Sequence, residues 1–469
     1  MFYEYNPRCG KGVLDLSAPF FEKRGVLEGF YGAFYTESER NDLIHFMYKH
    51  DFNFYIYGPK NDRQHRARWR EPYPDYIMKQ FGRTIQLAKK LDIDFCYSIG
   101  SGVSINYASD DEVTIIKEKF KAFYDIGVRS FAIMLDDIAP NFRTVEEQEK
   151  FNSFAEAQSF LCNHLYHWLK ELNESCTLFM CPTDYHGQAP FSDYIHELGE
   201  LLDPNIDVCY TGADITTAQI TNQDTKEFGE AIRRSPIIWE NYPVNDLAMT
   251  SEMHLGPITG RDPNLYETTK GFLVNTMNQA EASKVPLLTF KAYLKDPHSY
   301  EPWKEWNDAL KEIAGTRHAA FLKTFAENAL QSCLKQSNSK TLSGLMEEIK
   351  VLLTQQAPIT GTKATQDLIE YLNHLDETGY HLKFRMENEA LRNDLLPWIE
   401  LMESWAWAGR RAIWLLEALE KNEGIEEAKQ WFIESSSEVE KHPKEMTDGS
   451  LQVLIDYANQ QMRRMLCRK

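Results

Sequence analysis

The chain has 469 residues, of which 43% are hydrophobic, so it can bury a large core and is not expected to be disordered. Its formal net charge is −19 and it has no long block of Lys or Arg, which argues against a nucleic acid partner. No segment approaches the ~18 consecutive apolar residues of a membrane span, and no signal-peptide pattern opens the chain. We therefore expect a cytoplasmic protein with no membrane partner.

The cysteines do not indicate a metal centre or a disulfide framework. Cys96, Cys176, Cys181 and Cys209 lie in or beside predicted strands, and none forms a C-x-x-C pair or a zinc-like cluster with histidine. They are expected to be reduced core residues. No metal or cofactor is expected.

From about residue 24, short β-rich runs alternate with longer helical patterns, which is typical of a parallel sheet with helical crossovers. Eight strands are predicted, at residues 25–28, 53–57, 94–99, 130–135, 177–181, 207–211, 236–240 and 271–275. The clearest predicted helices cover residues 37–49, 76–91, 111–124 and 145–172. Eight such units in roughly 270 residues match a TIM barrel. A doubly wound open sheet is the alternative, although no glycine-rich dinucleotide motif follows the first strand.

After about residue 300 the strand signals stop, and Glu, Lys, Leu and Ala at helical spacing predominate to the C-terminus. Breaks are predicted at residues 336–340, 357–363 and 441–449. We therefore predict an α/β protein with an N-terminal arm (1–21), a catalytic TIM barrel (22–297) and an all-α helical domain (298–469).

The helical domain carries four tryptophans on one predicted helix. Trp398 and Trp405 are seven residues apart, as are Trp407 and Trp414, so each pair shares one helix face. Packing within a bundle is the simplest interpretation. A homodimer interface and a sugar-stacking surface are the alternatives.

Asp136 and Asp137 directly follow the apolar run 130–135, which places two carboxylates at the end of a predicted buried strand. Neighbouring carboxylates resist ionising together, an arrangement that suits acid catalysis. A helix N-cap or a solvated loop is the more common explanation of an isolated Asp-Asp pair. Polar residues at the ends of the other predicted strands favour a site.

In a TIM barrel the strands' C-terminal ends build the active site, so the residues after each strand are decisive. Those residues are mostly glycines and residues with amide, carboxylate or aromatic side chains. They include Gly29, Lys60, Asp136, Asp137, Cys181, Tyr185, Trp239, Asn241, Asp246 and Asn275. Amides and carboxylates bind hydroxyls, and aromatic rings cover the apolar face of a pyranose, so the set resembles a sugar pocket.

Several ordered motifs resemble glycoside hydrolase family 84, the β-N-acetylglucosaminidases that include protein O-GlcNAcases and enzymes described as hyaluronidases. They are RGVLEGFYG at 24–32, YGPKND at 57–62, WREPYP at 69–74, GVRSF at 127–131, LDDI at 135–138, and WEN at 239–241 with Asn245 and Asp246. The resemblance covers roughly residues 22–295. Two features depart from the family pattern. Only about twenty residues of this sequence precede the barrel, and Ala33-Phe34-Tyr35 stands where many members have Pro-Trp after the glycine.

The resemblance implies a retaining mechanism in which the substrate's own 2-acetamido group is the nucleophile. Asp136 would orient that group and stabilise the oxazoline intermediate, and Asp137 would be the general acid and base. Both carboxylates can reach one pocket only if the chain leaves regular strand geometry near Asp136, because successive strand side chains point to opposite faces.

The resemblance also assigns the sugar contacts. Gly29 and Lys60 would bind the hydroxyl at position three, Asp246 those at positions four and six, and Asn275 would assist nearby. The acetamido methyl group would lie among Cys181, Tyr185 and Trp239, with Asn241 as a polar contact. For Cys181, ordinary packing at a strand end is an equally good explanation.

These implications predict an exo-β-N-acetylglucosaminidase whose partner is a GlcNAc-bearing glycan or glycoprotein. An endo-acting, hyaluronidase-like enzyme is the alternative, although an acidic chain suits polyanionic hyaluronan poorly. A carbohydrate-binding barrel without activity is less consistent with an intact Asp136-Asp137 pair.

Overall fold

The structure is a computed structural model that describes residues 19–334 and 339–466. The predicted N-terminal arm, residues 1–21, lies almost wholly outside the described residues, and so does most of the predicted break at 336–340. No helix among the described residues is long and apolar enough to cross a membrane.

Eight parallel strands form a closed barrel in which every strand pairs with its neighbours in sequence and β1 pairs with β8. The strands are β1 (Lys23–Glu28), β2 (Phe54–Tyr57), β3 (Asp94–Ile99), β4 (Ser130–Met134), β5 (Thr177–Cys181), β6 (Asp207–Tyr210), β7 (Ile237–Glu240) and β8 (Gly271–Asn275). The predicted TIM barrel is confirmed. The doubly wound sheet is excluded because the sheet closes on itself.

Eight helices accompany the strands of the barrel. They are α1 (Glu37–Lys49), α2 (Asp75–Lys90), α3 (Asp110–Asp125), α4 (Val145–Lys150), α5 (Phe154–Leu172), α6 (Asp193–Leu201), α7 (Asn222–Ala231) and α8 (Lys284–Lys295). The single helix predicted over 145–172 is therefore wrong. Ser153 is an N-cap that accepts a hydrogen bond from the backbone of Glu156, and this cap starts a separate helix.

Strand residues alternate between two apolar environments. Phe54 and Ile56 belong to a cluster inside the barrel, whereas Tyr55 and Tyr57 pack among the surrounding helices. This alternation follows from the two-residue period of a strand. The barrel wall is therefore packed with apolar side chains on both faces.

The rest of the chain is helical over the residues described. Its helices are α9 (Pro302–Ala314), α10 (Ala319–Glu327), α11 (Lys340–Thr354), α12 (Lys363–Phe384), α13 (Glu389–Lys421), α14 (Ile425–Lys441) and α15 (Gln452–Leu466). The all-α region that was predicted after the barrel is thus confirmed.

The four tryptophans of α13 divide between its two faces. Trp398 and Trp405 are buried at 1% and 7% exposure, as bundle packing predicts. Trp407 and Trp414 remain 43% and 38% exposed. The face of α13 that carries Trp398 and Trp405 is therefore part of the core, and the face that carries Trp407 and Trp414 lies at the surface.

Candidate active site

A cavity of about 580 Å³ opens where the strands end, which is the size expected of a small-molecule site. All ten residues singled out in the sequence line it, so the structure brings the whole predicted set together. The lining set is Gly29, Lys60, Asp136, Asp137, Cys181, Tyr185, Trp239, Asn241, Asp246 and Asn275, joined by Tyr31 and by an apolar rim.

Asp136 is buried and ion-paired. Its Oδ2 accepts from the Nζ of Lys60, and both side chains are at most 7% exposed. The ammonium of Lys60 also lies 5.6 Å from the centre of the Trp239 ring. The other carboxylate oxygen of Asp136, Oδ1, is buried and has no hydrogen-bond partner among the described residues. A buried acceptor without a donor is unfavourable, so this oxygen is suited to take an N–H or O–H from a ligand.

Asp137 differs from its neighbour in both geometry and environment. Its φ of +55° lies in the left-handed region, which costs free energy for a residue other than glycine. The chain thus leaves strand geometry here, and the turn brings Asp137 into the same cavity as Asp136. Asp137 is exposed, and its carboxylate accepts from the phenols of Tyr31 at 2.7 Å and Tyr185 at 2.9 Å. A buried, paired carboxylate beside an exposed one allows two different chemical roles.

Tyr31 is a site residue to which the sequence analysis assigned no role. Its hydroxyl donates to Oδ2 of Asp137, and its backbone N–H donates to Oδ2 of Asp246 at 2.7 Å. Arg66 donates to the Tyr31 hydroxyl at 2.8 Å. Burial and the neighbouring Asp137 carboxylate raise the pKa of Tyr31, so its phenol remains a donor. Tyr31 lies in the motif at 24–32 and Arg66 lies just after the motif at 57–62, but their contacts depend on loops from different strands.

A chain of amide contacts supports the cavity floor. The backbone N–H of Gly29 donates to Asn275 Oδ1 at 3.2 Å, and Asn275 Nδ2 donates to Asn241 Oδ1 at 2.9 Å. The same oxygen of Asn241 accepts from Trp239 Nε1 at 2.8 Å. A Cβ on Gly29 would lie 3.0 Å from the Trp239 ring and 2.9 Å from Leu27 Cγ. Glycine is therefore required for the backbone to pass this close to the ring.

Asp246 lies across the cavity from the Asp136-Asp137 pair, on the loop after β7. Burial raises its pKa, while the hydrogen bond from Tyr31 and the charge on Lys60 act in the opposite direction. Asp246 as a whole residue is only 8% exposed. A carboxylate in this position can accept hydroxyl groups of a ligand with charge-assisted bonds.

Cys181 is a buried free thiol at the end of β5, and burial raises its pKa. A raised pKa disfavours the thiolate, so this residue is suited to be a wall and not a nucleophile. Tyr185, whose pKa is also raised by burial, lines the same side of the cavity.

An apolar rim completes the cavity and was not identified from the sequence. It consists of Ile215, Val244, Leu247, Ala248 and Met249. Leu247 is 63% exposed and has a φ of +49°. The described residues contain no group of three or more His, Cys, Asp or Glu side chains that could hold a metal ion.

The chain is similar in sequence to known proteins. The sequence model of a beta-N-acetylglucosaminidase family matches residues 24–327. The protein O-GlcNAcase of Rattus norvegicus is 35% identical over 276 residues, which are 58% of this chain and 30% of that protein. The protein O-GlcNAcase of Mus musculus matches to the same extent. The matched part is thus about a third of the length of these curated relatives.

Solved structures match over most of the chain. A mutant of the O-GlcNAc hydrolase of Thermobaculum terrenum is 28% identical, with a TM-score of 0.88 and 94% of each chain covered. The structure of CpGH84B is also 28% identical, with a TM-score of 0.82, and the match covers 94% of this chain and 77% of that one. The similarity therefore extends through the helical region as well as the barrel.

Proposed function

Because the chain belongs to the beta-N-acetylglucosaminidase family of glycoside hydrolases, we propose that it is a retaining exo-β-N-acetylglucosaminidase that removes terminal β-linked GlcNAc, including GlcNAc on Ser or Thr of proteins. The observation that carries this proposal is the different environment of the two adjacent carboxylates. Asp136 is buried beside Lys60 with one free acceptor oxygen, and Asp137 is exposed at the same cavity.

Asp136 is assigned to the substrate's 2-acetamido group. Its unpaired Oδ1 accepts the acetamido N–H, which turns the carbonyl oxygen toward the anomeric carbon. That oxygen forms a bond to the anomeric carbon as the bond to the leaving group breaks, giving an oxazoline. The carboxylate of Asp136, which is ion-paired with Lys60, stabilises the positive charge that develops on the nitrogen.

Asp137 is assigned to proton transfer. It donates a proton to the leaving oxygen in the first step, then removes a proton from the water that opens the oxazoline. Water attacks the face that the leaving group occupied, so the configuration at the anomeric carbon is retained. The exposure of Asp137 supports this assignment, because both the leaving group and the water must reach it.

The remaining contacts are assigned to recognition of one sugar. Gly29 and Lys60 bind the hydroxyl at position three, and Asp246 binds those at positions four and six. The ring of Trp239, with Cys181 and Tyr185, receives the acetamido methyl group, and Asn241 and Asn275 support this floor. A pocket that engages the hydroxyls at positions four and six leaves no room for a further sugar there, which favours exo cleavage.

The protein O-GlcNAcases among the relatives support a glycoprotein substrate. We expect purified protein to release GlcNAc from 4-nitrophenyl β-GlcNAc and from a GlcNAc-modified Ser peptide, and not to cut hyaluronan internally. NMR of the first product should show the β-anomer. A first product of α configuration, or internal cleavage of hyaluronan, would contradict the proposal.

The mechanism is tested separately with Asp136→Asn. This variant keeps the side chain's size but loses its charge, so kcat should fall on the order of 10²-fold or more while the fold is retained. Binding of a thiazoline mimic of the intermediate should weaken in parallel. Near-normal turnover by a folded Asp136→Asn protein would remove Asp136 from the mechanism.

A further inference from the structure

The loop that carries Asp246 is held from outside the barrel. This loop, residues 246–251, also supplies the rim residues Leu247, Ala248 and Met249. Within the loop, Met249 N–H donates to the carbonyl oxygen of Asp246 at 2.9 Å. Asn245 Nδ2 donates to the carbonyl oxygen of Glu252 at 3.0 Å, which closes the loop at its base.

Two adjacent carbonyl groups of the loop accept hydrogen bonds from the helical region. The indole N–H of Trp398, on α13, donates to the Ser251 carbonyl at 2.8 Å. The Nζ of Lys444, between α14 and α15, donates to the Thr250 carbonyl at 2.7 Å. The backbone N–H of Glu445 also donates to the Ser251 carbonyl, at 2.9 Å.

The donors also hold one another in place. The ammonium of Lys444 lies 4.3 Å from the centre of the Trp398 ring, within range of a cation–π interaction. Trp398 is 1% exposed, so its indole has one orientation in which its N–H meets the loop. Two segments separated by 46 positions in the sequence thus converge on two consecutive peptide groups.

We propose that Trp398 and Lys444 are positioning residues for sugar binding: they fix loop 246–251 so that the Asp246 carboxylate faces the cavity. The Asp246 carboxylate accepts from the backbone N–H of Tyr31, and the loop that carries Asp246 is held at Thr250 and Ser251 by the helical region. The helical region is therefore part of the substrate-binding apparatus, although none of its described residues lines the cavity. This inference rests on the proposed role of Asp246 in binding the sugar hydroxyls.

The test is a mutant cycle measured with 4-nitrophenyl β-GlcNAc. Trp398→Phe removes the indole N–H and retains an aromatic ring, and Lys444→Met removes the ammonium. Together they should lower kcat/KM about tenfold, mainly through KM, a factor consistent with losing one or two hydrogen bonds that hold the loop. In an Asp246→Ala background the same pair should change kcat/KM less than about twofold, because the residue they position is already absent.

Two variants serve as controls. Trp405→Phe makes the same chemical change at another buried tryptophan of α13, seven positions further on, and should leave KM unchanged. Lys444→Arg retains a cationic donor and should recover most of the activity that Lys444→Met loses. An equal loss from Trp405→Phe and Trp398→Phe would overturn the inference, since it would show that the helix contributes only general stability.

Hydrogen exchange decides the inference independently of catalysis. The Met249 amide should exchange faster in the Trp398→Phe/Lys444→Met protein, while the amides of β4 and β8 keep their protection. Unchanged exchange over residues 246–252, or a full tenfold loss in the Asp246→Ala background, would overturn the proposal. If the wild-type protein does not cleave the aryl sugar, the proposed function fails, and the exchange result still decides whether the helical region fixes the loop.

Discussion

The two sides of the cavity are held in different ways. On one side, Asp136 follows the last residue of β4, Met134, by two positions, and its neighbourhood is braced by the barrel itself. Leu135 N–H donates to the Cys181 carbonyl at 2.9 Å, and Thr183 Oγ1 donates to the Leu135 carbonyl at 3.0 Å. The side that holds the proposed catalytic carboxylates is thus an extension of the sheet.

On the other side, Asp246 lies six positions beyond Glu240, the end of β7, on a loop that the sheet alone does not fix. Its supports come from the loops after β1 and β8 and from helices distant in sequence. The proposed catalytic carboxylates are thus placed by the rigid barrel, whereas the carboxylate that is proposed to bind the sugar hydroxyls lies on a loop with its own external support.

The largest expected effect is on the side braced by the barrel. Asp137→Asn should lower turnover on substrates with poor leaving groups on the order of 10²- to 10⁴-fold, because the proposed general acid is lost. Activated aryl substrates should lose less in the first step. Asp184→Asn is a matched control, since Asp184 accepts from Ser192 Oγ at 2.7 Å and does not line the cavity. Equal losses for leaving groups of widely different acidity would contradict the acid role.

A smaller effect is expected on the other side. Asp246→Ala should cost roughly 2 to 4 kcal/mol in kcat/KM, as for the loss of charge-assisted hydrogen bonds in a buried site. A 4-deoxy analogue of the aryl substrate provides the control. Wild-type protein should discriminate against it, and Asp246→Ala should not. If the variant still discriminates between the two substrates, another residue binds the hydroxyl at position four.

The smallest effect concerns the contact between α13 and the loop after β8. Asp394 accepts from the backbone N–H groups of Glu281 at 2.8 Å and Ala282 at 3.0 Å, and burial raises its pKa to about 6. The folded chain thus binds this proton more tightly than the unfolded chain. The contribution of Asp394 to the free energy of unfolding therefore falls as pH rises from about 4 to about 6.

Asp394→Asn keeps an acceptor oxygen and removes this titration. The variant should be more stable than the wild-type protein at pH 7, by about 1–2 kcal/mol, and the two should converge below pH about 4. Thermal or urea unfolding of both proteins across pH 4 to 7 measures the difference. A variant that is less stable at pH 7 would show that the charge strengthens this contact more than burial weakens it.

Much of the barrel could be predicted from sequence because its signals are local. Each strand is a short β-rich run between helical patterns, and β3, β5 and β8 have the predicted bounds. The split between α4 and α5 was missed, although Ser153 followed by Glu156 is a recognisable helix start.

The candidate residues could be gathered from sequence because parallel strands in a barrel end at one face. The geometry within the set could not. The left-handed turn at Asp137 is a backbone conformation that the dipeptide does not signal. Tyr31 joins the two sides through contacts with loops more than 100 and 200 positions away. The donation from Trp398 to Ser251 likewise depends on how the helical region packs against the barrel.

The close approach of Gly29 to Trp239 also determines which positions a protein engineer could vary. A side chain at position 29 would collide with Leu27 and with the ring beneath the proposed sugar, so a mutant library there would yield mostly unfolded or inactive clones. Leu247, by contrast, is exposed on the rim and already adopts a backbone conformation that glycine or asparagine would favour. Directed evolution toward new glycosides should therefore diversify the rim and leave the floor unchanged.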